Sequence, residues 1–303
     1  MKNYIKGTSF DSIESILTSS WLESTLIWRI ISDLYAGKNK RFLEKYQWAL
    51  SLWAEHLQDT KQRVVVTLDG RDTAGKWSNI KRVTDQLNNK NFGITAFAWI
   101  PTPEERKEDN WFQKFELQFP KEWKIQFYDR SWYNRAWVEA AMWFCTQEEY
   151  NWFMAHVNEF EKERIIQEGI DYLKIYLSIG KTTQKQRLAA REDVRKRWKS
   201  SPVDAQAQEK WWQYTNAKEQ ILRQTDTPES PWIILDSTQR YLSAVEIIKA
   251  IIGTKSEVRE LIENDLSLDL SPNKNIRRSA TQELEKMEEE WVIPNAKKFK
   301  FAD

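Results

Sequence analysis

The residues with the clearest chemical meaning form a short stretch, GRDTAGK, from Gly70 to Lys76. It fits the pattern G-x-x-x-x-G-K, in which glycines let main-chain N–H groups turn towards a phosphate and the lysine adds a positive charge. The pattern next requires a serine or threonine hydroxyl on a magnesium ion, but this chain has Trp77 there. The loop instead carries an acid of its own, Asp72. These residues predict a phosphate-binding loop with an unusual metal arrangement.

A second stretch of acids and arginines, YDRSWYNRAWVE, occupies residues 128–139. Asp129 ends a short apolar run, which is where a magnesium-binding acid lies in phosphate-loop folds, and magnesium prefers oxygen ligands. Asp72 and Asp129 could therefore share one metal ion. Arg130 and Arg135 follow, and their planar guanidinium groups suit phosphate oxygens. Such a site favours phosphoryl transfer, where catalysis is mostly positioning and charge neutralisation.

The sequence offers no clear nucleophile or general base among its cysteine, serine and histidine residues. No catalytic cysteine or serine arrangement is visible, and His56 and His156 lie far from both stretches in the sequence. A kinase that acts on an alcohol needs a general base, whereas a phosphate acceptor is already anionic. The residues present therefore favour transfer from one phosphate to another.

The elements that must position these residues are strands alternating with helices. The run RVVVTL at 63–68 suits a strand buried on both faces of a parallel sheet. Further strands are predicted at 92–100, 124–128, 171–179 and 232–235, and helices at about 75–88, 102–119, 146–168 and 239–252. The second and third of these helices should open with capping boxes, formed by Thr102 with Glu105 and by Thr146 with Glu149. This alternation predicts an α/β fold, a three-layer αβα arrangement with a five-stranded parallel sheet. Ligands bind beyond the carboxyl ends of such strands, so the loop and Asp129 should share one crevice.

Additional segments are predicted around and within this core. An N-terminal helical extension is expected at 1–60, the core at 61–254 and a charged, peripheral helical tail at 255–303. Inside the core, residues 180–204 are rich in lysine and arginine. This run is either a solvated helix face or a mobile lid that brings arginines over phosphates.

The composition excludes several classes of protein. The 303 residues include 46 Lys and Arg and 45 Asp and Glu, and this balance gives no global case for binding nucleic acid or a membrane. Cys145 is the only cysteine, so no disulfide framework exists. No signal-like segment and no run of about 20 apolar residues is present, which together with the single cysteine predicts a cytoplasmic protein. Most of the 17 tryptophans are expected in the core and in interfaces.

Five motifs in order resemble the polyphosphate kinase 2 family. They are GRDTAGKWSNIKR, YDRSWYNRAWVE, FCTQEEY, RKRWKSSPVD and TDTPESPW, and the resemblance covers about residues 60–255. Members are P-loop, thymidylate-kinase-like proteins with a lid. The resemblance implies a reversible, magnesium-dependent transfer between inorganic polyphosphate and a nucleoside diphosphate or monophosphate, with ADP to ATP as the main reaction and AMP and guanine nucleotides as further candidate acceptors. Mn²⁺ is expected to substitute for Mg²⁺. A homo-oligomer, either dimer or tetramer, is also expected, with the aromatic N-terminal helical segment and the tail as its contact surfaces.

The resemblance further implies roles for individual residues. Asp72 and Asp129 would hold the metal, and Lys76, Arg130 and Arg135 would complete the catalytic set. The substrate-binding set would be Gly70, Arg71, Thr73, Ala74, Gly75, Lys81, Arg82, Tyr133, Asn134, Glu139, Arg187, Arg191 and Lys199. Within it, the basic pair at 81–82 would line the polyphosphate path, and the lid arginines would close over the nucleotide or the chain.

The chain departs from the family pattern at several positions. Trp77 and Ser78 replace glycines after the loop lysine, and Trp137 replaces the glycine of NRAGVE. Residues 192–195 form a shorter lid turn than usual, and residues 237–241 replace a basic run. Trp77 either narrows the phosphate channel or packs with Trp137 as one coupled change. Two alternatives therefore stay open, a catalytically impaired polyphosphate- or nucleotide-binding regulator and an ATP-using nucleoside monophosphate kinase.

Overall fold

The computed structural model describes residues 24–98, 100–107, 111–191, 206–290 and 292. Across these ranges a six-stranded sheet of order β2-β3-β1-β4-β5-β6 forms the centre. Its strands are β1 (Arg63–Gly70), β2 (Phe92–Ala96), β3 (Lys124–Asp129), β4 (Ile170–Ser178), β5 (Trp232–Asp236) and β6 (Arg277–Ser279). Strands β1 to β5 pair in parallel, and β6 is antiparallel to β5. The α/β class and the five parallel strands are confirmed, and the predicted five-stranded sheet is corrected to six strands by the antiparallel β6.

The helices of the described ranges alternate with these strands. They are α1 (Ser24–Thr60), α2 (Lys76–Thr84), α3 (Gln113–Glu116), α4 (Val138–Met142), α5 (Gln147–Glu161), α6 (Lys181–Ala189), α7 (Trp211–Thr225), α8 (Arg240–Ile252), α9 (Ser256–Leu266) and α10 (Ala280–Glu289). A 3-10 turn at Trp132–Arg135 precedes α4, and a π-helical turn at Lys162–Ile166 follows α5. None of the helices in this part of the chain has the length and apolarity that crossing a bilayer requires.

The strand register places the phosphate-binding loop beside the end of β3. Leu68 pairs with Asp129, and Gly70 pairs with Leu177 on β4. Gly70 has φ 138°, and a Cβ there would lie 2.6 Å from the carbonyl oxygen of Leu177. Only glycine fits this backbone conformation and this close approach. The first glycine of the motif therefore lets β1 and β4 stay paired up to the start of the loop.

An aromatic core holds one face of the sheet. Trp111, Trp132 and Trp232 are among the largest fully buried side chains. The ring of Tyr133 lies 4.8 Å from that of Trp232, centroid to centroid, in an edge-on arrangement. Large aromatic side chains bury much apolar area, and edge-on pairs add a favourable electrostatic contribution. This packing fixes the segment that follows Asp129.

The helix predicted at 102–119 is wrong for most of its length. The expected capping box forms, because Glu105 accepts a hydrogen bond from the N–H of Thr102 at 2.7 Å and Thr102 Oγ1 accepts one from the N–H of Glu105 at 3.3 Å. Over residues 102–107 the chain nevertheless makes only turns, and within the described residues 111–119 the longest helical stretch is the single turn α3. Trp111 and Phe115 are buried. We attribute the difference to this aromatic anchoring, which overrides the local helix signal.

The two ends of the sheet-containing unit also differ from expectation. The predicted N-terminal helices are one continuous helix, α1, and the compact unit that contains the sheet begins within it at Tyr46. The predicted helical tail contributes β6 to the sheet and the helix α10, which Ser279 caps with Gln282. A three-residue strand carries no alternation that a sequence pattern can reveal. By contrast, the capping box of Thr146 and Glu149 opens α5 as predicted.

Candidate active site

A cleft with a volume of about 350 Å³ opens where β1 and β3 end. Its lining residues are Asp72, Thr73, Gly75, Lys76, Trp77, Ser78, Asp129, Arg130, Arg187, Ala190, Arg191 and Arg240. The two stretches that the sequence singled out therefore meet in one crevice, as predicted from the strand ends. Five cationic side chains face two carboxylates in this lining, a balance that favours a polyanionic ligand.

The loop backbone has the geometry of an anion cradle. Thr73 and Gly75 adopt left-handed conformations, with φ 66° and 98°, and Lys76 begins α2. Within the described chain, no acceptor takes a hydrogen bond from the main-chain N–H groups of these three residues. Consecutive N–H groups in a turn of mixed handedness, followed by a helix N-terminus, form a concave site for an anion.

Lys76 is a cation held inside the cleft. Its Nζ donates to the carbonyl oxygen of Gly70 at 2.8 Å and lies 3.4 Å from that of Arg71. Burial and the nearby Arg130 lower the pKa of Lys76, while Asp129, Asp72 and Asp69 act in the opposite direction. The side chain is thus fixed at the base of the loop, where a bound phosphate would offset the cost of its burial.

The two predicted metal-binding acids have incomplete sets of partners. Asp129 is buried, and its Oδ1 has no hydrogen-bond partner. Asp72 Oδ1 lies 4.0 Å from the nearest nitrogen of Arg130. A buried carboxylate oxygen without a partner is costly, and a hard divalent cation is the kind of group that completes it. In the part of the chain described, no group of three or more His, Cys, Asp or Glu residues could hold a metal, so an ion at these two acids would need phosphate or water oxygens as further ligands.

Arg130 is placed by a strained backbone. Its φ is 70°, and its main-chain N–H donates to the carbonyl oxygen of Leu68 at 3.1 Å. Its Nη1 donates to the carbonyl oxygen of Phe97 at 3.2 Å, while its Nε is buried without a partner. A non-glycine residue in this region is uncommon and persists where the surroundings fix it. The guanidinium therefore keeps donor capacity for a ligand in the cleft.

Sequence reasoning missed the buried pair of Asp69 and Ser131. Ser131 Oγ donates to Asp69 Oδ2 at 2.7 Å and accepts a hydrogen bond from the N–H of Tyr133 at 3.2 Å. Burial raises the pKa of Asp69 to about 6, although Ser131 and Lys76 lower it. The pair ties the end of β1 to the turn after β3. The sequence does contain a signal for this pair, because Asp69 is an acid immediately before the first glycine of the loop.

Arg187 and Arg191, the two arginines of the predicted lid, line the cleft together with Arg240, which sequence reasoning also missed. Arg187 donates from Nη1 to the carbonyl oxygen of Thr73 at 3.0 Å and from Nη2 to that of Ser237 at 2.7 Å. Burial, with a contribution from Arg240, lowers the pKa of Arg187 to about 10. Arg240 was detectable from its place at the start of α8, just beyond the end of β5.

Two of the predicted residues, Arg135 and Glu139, form a buried ion pair away from the cleft lining. Arg135 Nε lies 3.1 Å from Glu139 Oε2, and Nη1 lies 3.5 Å from Glu149 Oε1. The guanidinium also stacks over Trp111, 4.0 Å from the ring centroid. Burial raises the pKa of Glu139 to about 7, even though Arg135 lowers it. The structure does not bring these two residues to the loop.

Arg71 also turns away from the phosphate-binding loop that contains it. Its guanidinium stacks on the ring of Trp211 at 3.7 Å and donates to the carbonyl oxygen of that residue at 3.1 Å. A third contact is its hydrogen bond to Thr215 Oγ1 at 2.5 Å. Burial lowers the pKa of Arg71. The side chain connects the loop to α7.

Three other predicted substrate residues, Tyr133, Asn134 and Ala74, are not among the residues that line the cleft. Tyr133 and Asn134 are buried, and the Tyr133 hydroxyl accepts a hydrogen bond from Lys174 Nζ at 3.3 Å. Ala74 is buried, so only its main chain is relevant. Lys199, like residues 192–195, lies outside the described residues.

The predicted basic pair follows the loop on α2. Lys81 is exposed, and its Nζ lies 5.5 Å from the ring centroid of Trp77. Arg82 donates to the carbonyl oxygen of Ser78 at 2.9 Å and lies over the ring of Tyr241 at 5.1 Å. Neither residue lines the cleft itself, so both lie beyond its wall.

The two tryptophans that replace family glycines occupy different environments. Trp77 lines the cleft and is 40% exposed, whereas Trp137 is 4% exposed. The ring of Trp137 lies 4.8 Å from that of Tyr176 in the core. The idea that the two tryptophans pack together as one coupled change is therefore wrong. Trp77 alone alters the wall of the phosphate site.

Comparison with protein families gives a match that spans most of the chain. A family described as polyphosphate kinase 2 matches residues 34–260. The chain is 38% identical over 205 residues to an ADP-polyphosphate phosphotransferase of Pseudomonas aeruginosa, covering 67% of this chain and 65% of that protein. It is 36% identical over 203 residues to NDP-polyphosphate phosphotransferase 1 of Ruegeria pomeroyi, covering 66% and 64%. The chain thus spans less than two thirds of the length of these two relatives.

Solved structures show the same similarity. The crystal structure of polyphosphate kinase 2 from Arthrobacter aurescens has a TM-score of 0.66 and 25% sequence identity to this chain. The match covers 78% of this chain and 83% of that one.

Proposed function

Because the chain belongs to the polyphosphate kinase 2 family, we propose that it transfers a phosphoryl group between inorganic polyphosphate and a nucleoside diphosphate or monophosphate. One observation carries the proposal: the loop at 70–76 and the acid–arginine pair Asp129–Arg130 meet in one cationic cleft. The names of the relatives give the substrate class, and ADP, AMP and guanine nucleotides are the acceptors to be compared.

The chain's own residues suit the transfer step. The N–H groups of the loop and Lys76 would bind the donor phosphate, and Arg130 would neutralise charge on the oxygens of the group in transfer. An anionic oxygen of the acceptor phosphate forms the new bond to phosphorus. The bond to the rest of the donor chain breaks, and the departing phosphate takes the electron pair, so no general base is required.

A divalent metal suits the two acids at the edge of the cleft. Asp129 Oδ1, buried without a partner, and the adjacent carboxylate of Asp72 are the oxygens that would hold it. We propose Mg²⁺, with Mn²⁺ as a substitute, because both accept carboxylate, phosphate and water oxygens. The ion would neutralise phosphate charge during transfer.

The test is product analysis with the full-length chain. Purified protein is incubated with polyphosphate, Mg²⁺ and, separately, AMP, ADP or GDP, and nucleotides are separated by anion-exchange chromatography. We expect ATP from ADP, or the corresponding product from another acceptor. Absence of product with every nucleotide contradicts the proposal. ADP formed from ATP and AMP without polyphosphate would instead identify an ATP-using monophosphate kinase.

One observation favours a second candidate, a regulator that binds without transfer. Trp77 stands in the cleft where the motif expects a small hydroxyl side chain, and it is 40% exposed there. A bulky ring beside the loop obstructs a phosphate chain more than it obstructs a single anion. Calorimetric binding of polyphosphate or nucleotide together with no product in the assay would support this candidate.

We also propose that the protein is a homo-oligomer, a dimer or tetramer. Trp48 and Leu52, one turn apart on α1, are 61% and 49% exposed. Large apolar side chains exposed side by side are typical of contact surfaces. Light scattering coupled to size exclusion measures the mass directly, and a monomer at all concentrations contradicts this proposal.

A further inference from the structure

The carbonyl groups of the phosphate-binding loop are all occupied by protein donors. Those of Gly70 and Arg71 accept from Lys76 Nζ at 2.8 and 3.4 Å. That of Ala74 accepts from Ser237 Oγ at 2.6 Å, and that of Gly75 from the N–H of residue 79 at 2.8 Å. The two central carbonyls, at positions 72 and 73, accept from α6, which lies at the start of the predicted lid and is called the lid helix below.

The lid helix supplies these two donors through Gln184 and Arg187. Gln184 Nε2 donates to the carbonyl oxygen of Asp72 at 3.2 Å, and its Oε1 accepts from Gln208 Nε2 at 2.6 Å. Gln184 is 1% exposed. Its amide is therefore held in place on both sides, and it contacts the loop only through the main chain.

Arg187 joins the same loop to the segment after β5. One nitrogen, Nη1, donates to the carbonyl oxygens of Thr73 and Ala74 at 3.0 and 3.3 Å. The other, Nη2, donates to those of Ser237 and Thr238 at 2.7 and 3.2 Å. A planar fork with fixed donor directions is suited to such a bridge, whereas a lysine ammonium is a point charge.

These contacts decide which way the loop amides face. In a planar trans peptide, the C=O of one residue and the N–H of the next are directed oppositely. Fixing the carbonyls of Asp72 and Ala74 on protein donors therefore turns the N–H groups of Thr73 and Gly75 the other way. Those two residues line the cleft, and their N–H groups have no acceptor within the described chain.

The loop needs such support because its conformation is costly. Thr73 is β-branched and adopts φ 66°, and its buried Oγ1 has no hydrogen-bond partner. Left-handed backbone in such a residue and an unpaired buried hydroxyl both oppose this conformation. It persists only where neighbouring groups stabilise it, and Arg187 binds the carbonyl of Thr73 itself.

We propose that Gln184 and Arg187 are positioning residues, which hold the loop in its anion-binding conformation rather than bind the phosphate themselves. Docking of the lid helix and binding of phosphate in the loop then stabilise each other, because coupling between two binding events is reciprocal. The inference rests on the proposed function only in taking an inorganic phosphate chain as the ligand of the loop.

The test measures binding rather than turnover. Inorganic tripolyphosphate with Mg²⁺ is titrated calorimetrically into the wild type and into Gln184→Met, Arg187→Ala, Arg187→Lys and, as a control, Lys185→Ala. Lys185 is exposed on the same helix, so its loss changes the charge without changing the loop contacts. Hydrogen–deuterium exchange of residues 70–76 is measured on each protein without ligand.

Gln184→Met keeps the side-chain volume but removes one neutral donor, so we expect roughly 5- to 10-fold weaker binding. Arg187→Ala should weaken binding by roughly 30-fold or more, with Arg187→Lys between it and the wild type. Lys185→Ala should stay within about 2-fold, as exposed charges contribute little. Loop amides should exchange faster in unliganded Gln184→Met and Arg187→Ala, an effect that loss of a phosphate ligand alone does not produce.

Several outcomes would overturn the inference. These are wild-type affinity in Gln184→Met, full restoration of affinity by Arg187→Lys, unchanged loop exchange in the unliganded variants, or no binding of tripolyphosphate by the wild type. A different set of results would contradict the proposed function but not this inference. There the wild type binds tripolyphosphate and the variants weaken it in the expected order, yet no phosphoryl group reaches any nucleotide.

Discussion

The cleft and the ionic cluster around Glu283 contain the same types of charged side chain. The two regions differ in whether those side chains have all their hydrogen-bond partners within the protein. In the cluster, Glu283 Oε1 accepts from Lys218 and from Ser178 Oγ, and Oε2 accepts from Arg278 Nε at 2.6 Å. In the cleft, Asp129 Oδ1 and Arg130 Nε are buried without partners. Burying charge is tolerated when it is paired and hydrogen-bonded. Incomplete pairing together with a place in the cleft lining therefore marks the charges that are left for a ligand.

The pair Arg135–Glu139 is intermediate, because its charges are paired like those of the cluster but its carboxylate oxygens lack hydrogen bonds, as Asp129 Oδ1 in the cleft does. The ions are 3.1 Å apart, yet both Glu139 oxygens lack a hydrogen bond, and burial holds the pKa of Glu139 at about 7. Its place outside the cleft lining groups it with the structural cluster. The comparison thus assigns Asp129 and Arg130 to binding and Arg135 to stability, and the following changes test that division.

The largest effect is expected from Asp129→Asn. Removing one carboxylate from a preorganised site of phosphoryl transfer should lower kcat by roughly 1,000-fold, which corresponds to about 4 kcal/mol. Thermal stability should be unchanged or higher, because a buried unpaired charge disappears. Initial rates and melting temperature are measured beside the exposed Asp59→Asn control. A fully active Asp129→Asn protein contradicts the metal assignment.

Arg135→Leu should act on stability instead. It leaves Glu139 buried without its cation, and breaking a buried pair in this way costs roughly 3 kcal/mol. Denaturant unfolding measures the free energy, and the double variant Arg135→Leu, Glu139→Gln should recover part of it. Arg130→Ala, the matched change in the cleft, should cost less than about 1 kcal/mol but abolish transfer. The reverse pattern would show that Arg135 belongs to the active site.

The Glu283 cluster should appear in the pH dependence of stability. Burial acts to raise the pKa of Glu283, but Lys218 and Arg278 lower it from 4.5 to about 2. Because the folded pKa is below the unfolded one, this stabilisation is present above pH 4.5 and is lost as the pH falls towards 2. It amounts to roughly 3 kcal/mol.

The measurement is the free energy of unfolding between pH 2 and 6. Glu283→Gln should be less stable than the wild type at neutral pH and should show a shallower loss on acidification. Glu288→Gln, an exposed glutamate on the same helix, serves as control. If the free energy of unfolding falls equally steeply with pH in the wild type and in Glu283→Gln, the assignment of this cluster to stability is contradicted.

The smallest effect concerns the wall of the cleft. If the ring of Trp77 narrows the approach to the loop, Trp77→Ala should raise kcat/KM for long polyphosphate by roughly 10-fold, or about 1.4 kcal/mol. The value for tripolyphosphate should change far less, because a short chain need not extend past the ring. Trp143→Ala, at a more exposed tryptophan just after α4 and outside the cleft lining, is the control. A drop for both chains would show that the ring binds phosphate chains instead.

The sequence predicts well where a local rule and the global fold agree. The β-branched run before Gly70 and the acid at the end of β3 reveal two parallel strands, and ligands of parallel sheets bind at their carboxyl ends. The positions of Asp72, Lys76 and Asp129 in one cleft follow from that rule. The capping box of Thr146 follows from local hydrogen bonding alone.

The sequence predicts poorly where partners come from distant segments. Arg71 and Arg135 look like phosphate ligands, but Trp211 and Trp111 take up their guanidinium planes. No local pattern shows that pairing, because each partner lies at least 24 residues away. The antiparallel β6 was missed for the same reason, since only its pairing with β5 defines it.

At Thr73, with its left-handed backbone, selection for stability and selection for anion binding favour different residues. Replacement by glycine would relieve the backbone and remove the orphaned hydroxyl, so variants chosen for heat resistance should accumulate there. The same replacement would free the loop to sample other shapes and would weaken its preorganisation for an anion. A directed-evolution experiment that selects only for folding should therefore replace Thr73 early, and the selected variants should bind anions less well in the loop.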